Sequence, residues 1–176
     1  MQLTQHFKLS EFTESDTALR LGIDNEPNNE VVGQLIRLAA VMEMVHTAFN
    51  YAVPGTFISV SSGYRCEKLE RVITQKDYAA WCLRHNYQEN DESWARYFEN
   101  KAHPKGHGCD WRAPKFGAPR EIVKFISAKP EIMQHIDQII MEGTWVHIGI
   151  SDNPRHMVMS ASFKDGTPTY SNGVET

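Results

Sequence analysis

Between positions 103 and 110 the chain reads His103-Pro104-Lys105-Gly106-His107-Gly108-Cys109-Asp110, an imidazole and a carboxylate seven positions apart across a glycine-bearing turn. Such a turn can aim both side chains at one point. His147 follows in Trp145-Val146-His147-Ile148-Gly149-Ile150, where a rigid strand could deliver a third ligand. Two histidines and one carboxylate, with water in the fourth position, make a catalytic zinc set. The open position lets Zn²⁺ lower the pKa of its water to about 7 and polarise a carbonyl. The same residues also read as a polar turn beside a half-buried strand histidine that makes one hydrogen bond, and spacing alone leaves both readings open.

The elements that must position these groups are visible in the pattern. Residues 9–16 supply helix-start signals for one short capped helix that continues through 17–21 and ends at Gly22. Asn28-Asn29-Glu30 opens a long amphipathic helix in which Val31, Leu35, Leu38, Met42 and Val45 recur at steps of three or four up to Phe49. Pro54-Gly55 ends it, and residues 57–61 alternate as a half-buried strand leading to Ser62-Gly63-Tyr64-Arg65. Residues 67–102 form a helical insertion, with candidate helices at 78–83 and 94–98 around a polar stretch at 86–92. Gly106, Gly108, Pro114 and Gly117 punctuate a turn-rich region before a helix at 120–128. Strands follow at 136–141 and 145–150 around Glu142-Gly143-Thr144, and a terminal hairpin joins 157–163 to 167–170 across Asp165-Gly166. The expected fold is a single α+β domain over 1–176, an antiparallel sheet with helices packed on it.

Composition narrows the function classes. The 176 residues carry 41% hydrophobic and 23% charged side chains, the mixture of a globular domain large enough to bury its own core. A metal would therefore serve chemistry rather than folding. Lys+Arg 18 against Asp+Glu 22 gives a net charge of -4, which argues against a nucleic-acid partner. Three cysteines without C-x-x-C spacing indicate neither a disulfide framework nor a cysteine zinc finger. The N-terminus has no basic-then-apolar signal pattern and no stretch reads as membrane-spanning, so synthesis in the cytoplasm, no membrane insertion and a monomeric state are expected.

Three ordered motifs carry a family resemblance: Ser61-Ser62-Gly63-Tyr64-Arg65, the run from His103 to Asp110, and Trp145-Val146-His147-Ile148. Together they resemble the signatures of zinc D-alanyl-D-alanine carboxypeptidases and L-alanyl-D-glutamate endopeptidases of the hedgehog/DD-peptidase fold, most closely the phage and prophage branch. The likeness extends to His6-Phe7-Lys8-Leu9-Ser10-Glu11-Phe12, to Ile136-Asp137-Gln138-Ile139-Ile140 and to the region of Tyr170, leaving out the insertion. It implies zinc held by His103, Asp110 and His147, with Arg65 gripping a substrate carboxylate or carbonyl oxygen beside Ser62 and Tyr64. It further implies hydrolysis of peptide bonds in bacterial peptidoglycan stems, as endopeptidase or carboxypeptidase, by an endolysin-like enzyme released to the wall or carried in a virion.

The proton carrier departs from the family pattern. Many relatives place Glu or Asp three residues before the last histidine, where this chain has Thr144, which cannot act as a base. Glu142 is the nearest carboxylate and resembles the glutamate of the phage branch; a solvent-facing hairpin glutamate is the competing reading. Asp137 is the reserve, or a structural partner that hydrogen-bonds a ligand histidine. His107 reads as an exposed turn residue, and Cys109 as a small core filler rather than a thiolate ligand. His6, His46, His85, His135 and His156 show no metal-like spacing. Two rivals stand beside the peptidase: a non-catalytic peptidoglycan-binding or phage structural module, and a metal hydrolase acting on something other than cell wall.

Overall fold

A computed structural model describes residues 1–164 and 167–174 of the chain. The asparagine signal at the start of the long helix operates as read. Asn28 accepts a hydrogen bond from the Val31 amide and caps α3 (Asn29–Ala52). Along α3 the side chains of Leu35, Leu38, Met42, Val45 and Phe49 form one stripe that is fully withdrawn from water. Burial of each contributes about 1.5–3 kcal/mol relative to exposure. By length and composition α3 could cross a membrane, although no stretch of the sequence reads as membrane-spanning. Its apolar stripe is spent on the core of this domain.

The predicted first helix is two: α1 (Leu9–Thr13) and α2 (Asp16–Leu21), the latter capped by Ser15 and closed by Gly22 in the left-handed conformation. The insertion holds α4 (Glu67–Ile73), α5 (Gln75–His85) and α6 (Asp91–Glu99), with Tyr78, Cys82, Trp94 and Tyr97 as its own small core. Later come α7 (Pro119–Ser127) and the short α8 (Pro130–Met133).

Among the described residues six strands form one mixed sheet in the order β1-β2-β4-β3-β5-β6: β1 (Ser59–Ser62), β2 (Gly108–Arg112), β3 (Gln138–Glu142), β4 (Trp145–Gly149), β5 (Met157–Lys164) and β6 (Thr167–Asn172). All neighbours are antiparallel except β3 and β5, which run parallel, so the expected antiparallel sheet is corrected to a mixed one. The chain leaves β4, passes β3 and pairs along its far edge, a choice that strand alternation does not encode. The expected turn of the terminal hairpin, Asp165-Gly166, lies outside the described residues.

Alternation divides the sheet into two faces. Cys109 and Trp111 of β2, Ile139 of β3, and Val146 and Ile148 of β4 all point toward α3 and α7 and are fully buried. The opposite face carries Asp110, His147, Ile140 and Glu142, and the insertion stands beside it. After β1 the chain presses against α1: a Cβ on Gly63 would sit 2.4 Å from the Phe12 carbonyl oxygen, so only glycine lets the segment bearing Arg65 approach this closely.

Candidate metal centre

Sheet register brings the central pair together. Asp110 lies directly opposite His147 across β2 and β4, on the same face. The region predicted as turns therefore contains a strand, and Asp110 is aimed by strand pairing rather than by a glycine turn. His103 arrives on a single 3-10 turn (His103–Lys105) beside the start of β2. Its Nδ1 donates to the Gly63 carbonyl at 2.6 Å, which turns Nε2 toward Asp110.

One donor atom from each of His103, Asp110 and His147 lies within 4.8 Å of the others. Asp110 Oδ1 is 2.8 Å from His147 Nδ1 and 3.5 Å from His103 Nε2. Four-coordinate zinc with bonds near 2.0 Å separates its donors by about 3.3 Å, so this set fits a zinc ion by chemistry and by spacing. The three side chains are only 8% to 13% exposed.

The charges are coupled. Burial works against the Asp110 carboxylate, yet His103 and His147 beside it hold its pKa well below the usual carboxylate range. Burial likewise works against a charged His147, and the hydrogen bond and charge of Asp110 outweigh it, raising the imidazole's pKa. A proton on His147 thus occupies the position a cation would take, and metal uptake would release it.

Arg65 lines the cleft beside the three candidate ligands. Its Nη2 donates to Asp110 Oδ2 at 3.0 Å, its Nη1 to Glu70 at 3.3 Å, and both Nε and Nη2 to Ser62 Oγ at 3.0 and 2.8 Å. The guanidinium holds Asp110 in place, and Ser62 serves as its acceptor. Tyr64 does not line the main cleft; with Ser62 it faces a separate pocket on the α2 side of Arg65.

Glu142 is no solvent-facing hairpin residue. It ends β3, and its Oε2 accepts from Trp145 Nε1 at 2.8 Å. It lines a cleft of about 370 Å³ together with the three candidate ligands. Burial raises its pKa, with His147 opposing and Asp110 reinforcing the shift. Asp137 lies elsewhere: its carboxylate is taken by Arg155, at 2.9 Å from Nε and 2.5 Å from Nη2, and by Ser151, so it supports no ligand histidine. Cys109 is fully buried in the core. His107 is outside the cleft lining.

Sequence reasoning missed the wall that the insertion contributes. Asp77, Asn100 and Lys101 line the cleft opposite the sheet, and Tyr170 closes another side. Lys101 Nζ sits 3.8 Å over the Tyr97 ring, and burial lowers the pKa of its ammonium. The signal available was a lone Asn-Lys pair separated by Ala102 from the first ligand motif, too short to be read without the fold.

Gly108 supports the imidazole of His147. A Cβ there would lie 2.9 Å from His147 Cε1 and 3.0 Å from the Ala102 side chain. Gly108→Ala is therefore expected to tilt the ring and weaken zinc binding at least about tenfold, while the far-ultraviolet circular dichroism stays that of the wild type. Competition titration against a chromophoric chelator measures this, and unchanged affinity would show that the ring has room to move.

No family model matches the chain, and no curated protein matches it either. Its functional reading rests on the residues of the cleft.

Proposed function

We propose that the chain is a zinc-dependent peptidase of hedgehog/DD-peptidase type that hydrolyses peptide bonds of bacterial peptidoglycan. The observation that carries this reading is the convergence of His103, Asp110 and His147 in a cleft that also holds Glu142, a half-buried carboxylate with one oxygen fixed by Trp145. When bound, zinc supplies a Lewis acid for the scissile carbonyl and makes water acidic enough to attack near neutral pH.

The protein's own groups do the rest. Arg65 fixes the orientation of Asp110 through Oδ2, so that Oδ1 faces the two imidazoles. Trp145 Nε1 occupies Glu142 Oε2 and leaves Oε1 on the cleft side, where the Tyr170 hydroxyl lies at 3.5 Å. Glu142 Oε1 takes the proton of the attacking water and returns it to the leaving amine as the C–N bond breaks. Lys101 offers a positive charge on the facing wall, suited to the free carboxylates of stem peptides. The enzyme would meet its substrate after release from the producing cell or as part of a virion.

Purified peptidoglycan incubated with the zinc-loaded protein is expected to yield new amino termini in proportion to time and enzyme. Zinc bound without released amines would move the reading to a binding module, and hydrolysis confined to other peptides would move it to a different substrate class.

A further inference from the structure

On the other side of the sheet, three side chains outside the cleft repeat the same donor chemistry. His6, Glu43 and His46 each place one ligand atom within 4.8 Å of the others. We propose that they form a second divalent-metal site, structural in role, that fastens the amino-terminal segment to α3. The ion would be of borderline type such as Zn²⁺, Ni²⁺ or Co²⁺ rather than Ca²⁺ or Mg²⁺, because two of its three protein ligands are imidazoles.

The segment bearing His6 is pre-formed. The Phe7 carbonyl accepts from the amides of Leu3 and Thr4 at 3.0 and 3.2 Å, a bridge pairs Gln2 with Lys8, and the Phe7 ring is buried in the core. Glu43 and His46 are three positions apart on α3 and therefore share a face. Glu43 is arranged as Asp110 is. One oxygen, Oε2, accepts from Thr4 Oγ1 at 2.7 Å and from the His6 amide at 3.2 Å, while Oε1 faces His6 Nδ1. The His46 ring lies tilted by 35° to that of His6, with ring centres 4.1 Å apart. Asn50 Nδ2 lies 3.2 Å from His46 Nε2, but its two hydrogens have nearer acceptors in the Thr56 and His46 carbonyls, at 2.7 and 3.0 Å. The imidazole pair is closer than that of the cleft, whose centres are 5.2 Å apart. A narrower angle at a shared ion suits six-coordination completed by water, which the partial exposure of His6 permits.

The test compares the full chain with His147→Ala, which removes a cleft ligand, and with His147→Ala/His6→Ala and His147→Ala/His46→Gln. Zn²⁺ and Ni²⁺ binding is followed by calorimetric titration, and unfolding midpoints are recorded with and without each metal. His147→Ala is expected to bind one equivalent and to gain several degrees in midpoint. Both double variants should bind at least tenfold more weakly and gain nothing. No metal bound by His147→Ala, or equal binding by the double variants, would overturn the second site. The cleft reading fails separately if wild type and His147→Ala bind the same number of equivalents.

Discussion

Replacing His147 or His103 by alanine is expected to remove the one zinc equivalent proposed for the cleft and to lower amine release from peptidoglycan by more than about a hundredfold. Loss of a group that merely orients a metal ligand already costs 10- to 100-fold in affinity or activity, and these changes delete the ligand itself. Each variant leaves only two protein donors, too few to complete a catalytic zinc site. The two deletions differ in what they strand. Without His147, Asp110 Oδ1 loses its 2.8 Å partner and retains His103 at 3.5 Å, with Arg65 on Oδ2. Without His103, the Gly63 carbonyl loses a donor and Asp110 loses the neighbour that most favours its charged form. Stability should therefore fall in both variants, because in each the nearly buried Asp110 carboxylate loses an imidazole that favours its charged form, and the loss of metal should be the same for both. His107→Ala, four positions from His103 and outside the cleft lining, should keep both metal and activity. Elemental analysis after dialysis, run beside the amine assay, reads all three variants. A zinc content equal to that of the wild type in both ligand variants would place the ion elsewhere and remove the basis of the peptidase reading.

What the sequence revealed, and what it hid, follows from how each feature is encoded. The α3 stripe and its Asn28 cap are local: one periodicity and one side chain suffice. The β4 alternation likewise placed His147 on the face of Trp145 and away from Val146 and Ile148. Strand β2 escaped because Gly108-Cys109-Asp110-Trp111-Arg112 is short and framed by turn residues. It is extended because β1 and β4 pair with it on either side, a tertiary cause. The parallel pairing of β3 with β5 escaped for a similar reason, since strand pattern carries no direction. In the cleft, the three ligand candidates and Glu142 were legible because motif order stands in for geometry. The commitment of Arg65 to Asp110 and Glu70 was not, because it depends on where the guanidinium comes to rest. Nor were Asp77 and Lys101 legible as cleft residues, since the insertion joins the cleft only through its packing beside the sheet.

Glu142→Gln should separate catalysis from stability. Hydrolysis is expected to fall about 10²- to 10⁴-fold, with the zinc equivalent retained and the metal-free protein more stable at neutral pH than the wild type. Glutamine keeps an oxygen for the Trp145 Nε1 hydrogen bond but cannot carry a proton. Burial raises the Glu142 pKa in the folded state, so the folded chain binds this proton more tightly than the unfolded chain does. The stabilisation from the protonated carboxyl is complete below the unfolded value and is lost as pH rises through the raised folded value. At neutral pH the ionised group is therefore a cost to the metal-free fold, and glutamine removes it. Asp110 runs the other way: its depressed pKa contributes stability above the unfolded value that is lost as pH falls through the folded one. Both proteins contain Asp110, so its contribution largely cancels in their difference. Unfolding midpoints in chelator should therefore diverge in favour of Glu142→Gln as pH climbs from the ordinary carboxylate range toward neutrality. Equal hydrolysis by the two proteins would remove Glu142 as the proton carrier, and a midpoint difference that does not grow with pH would mean that its carboxylate is not desolvated by the cleft.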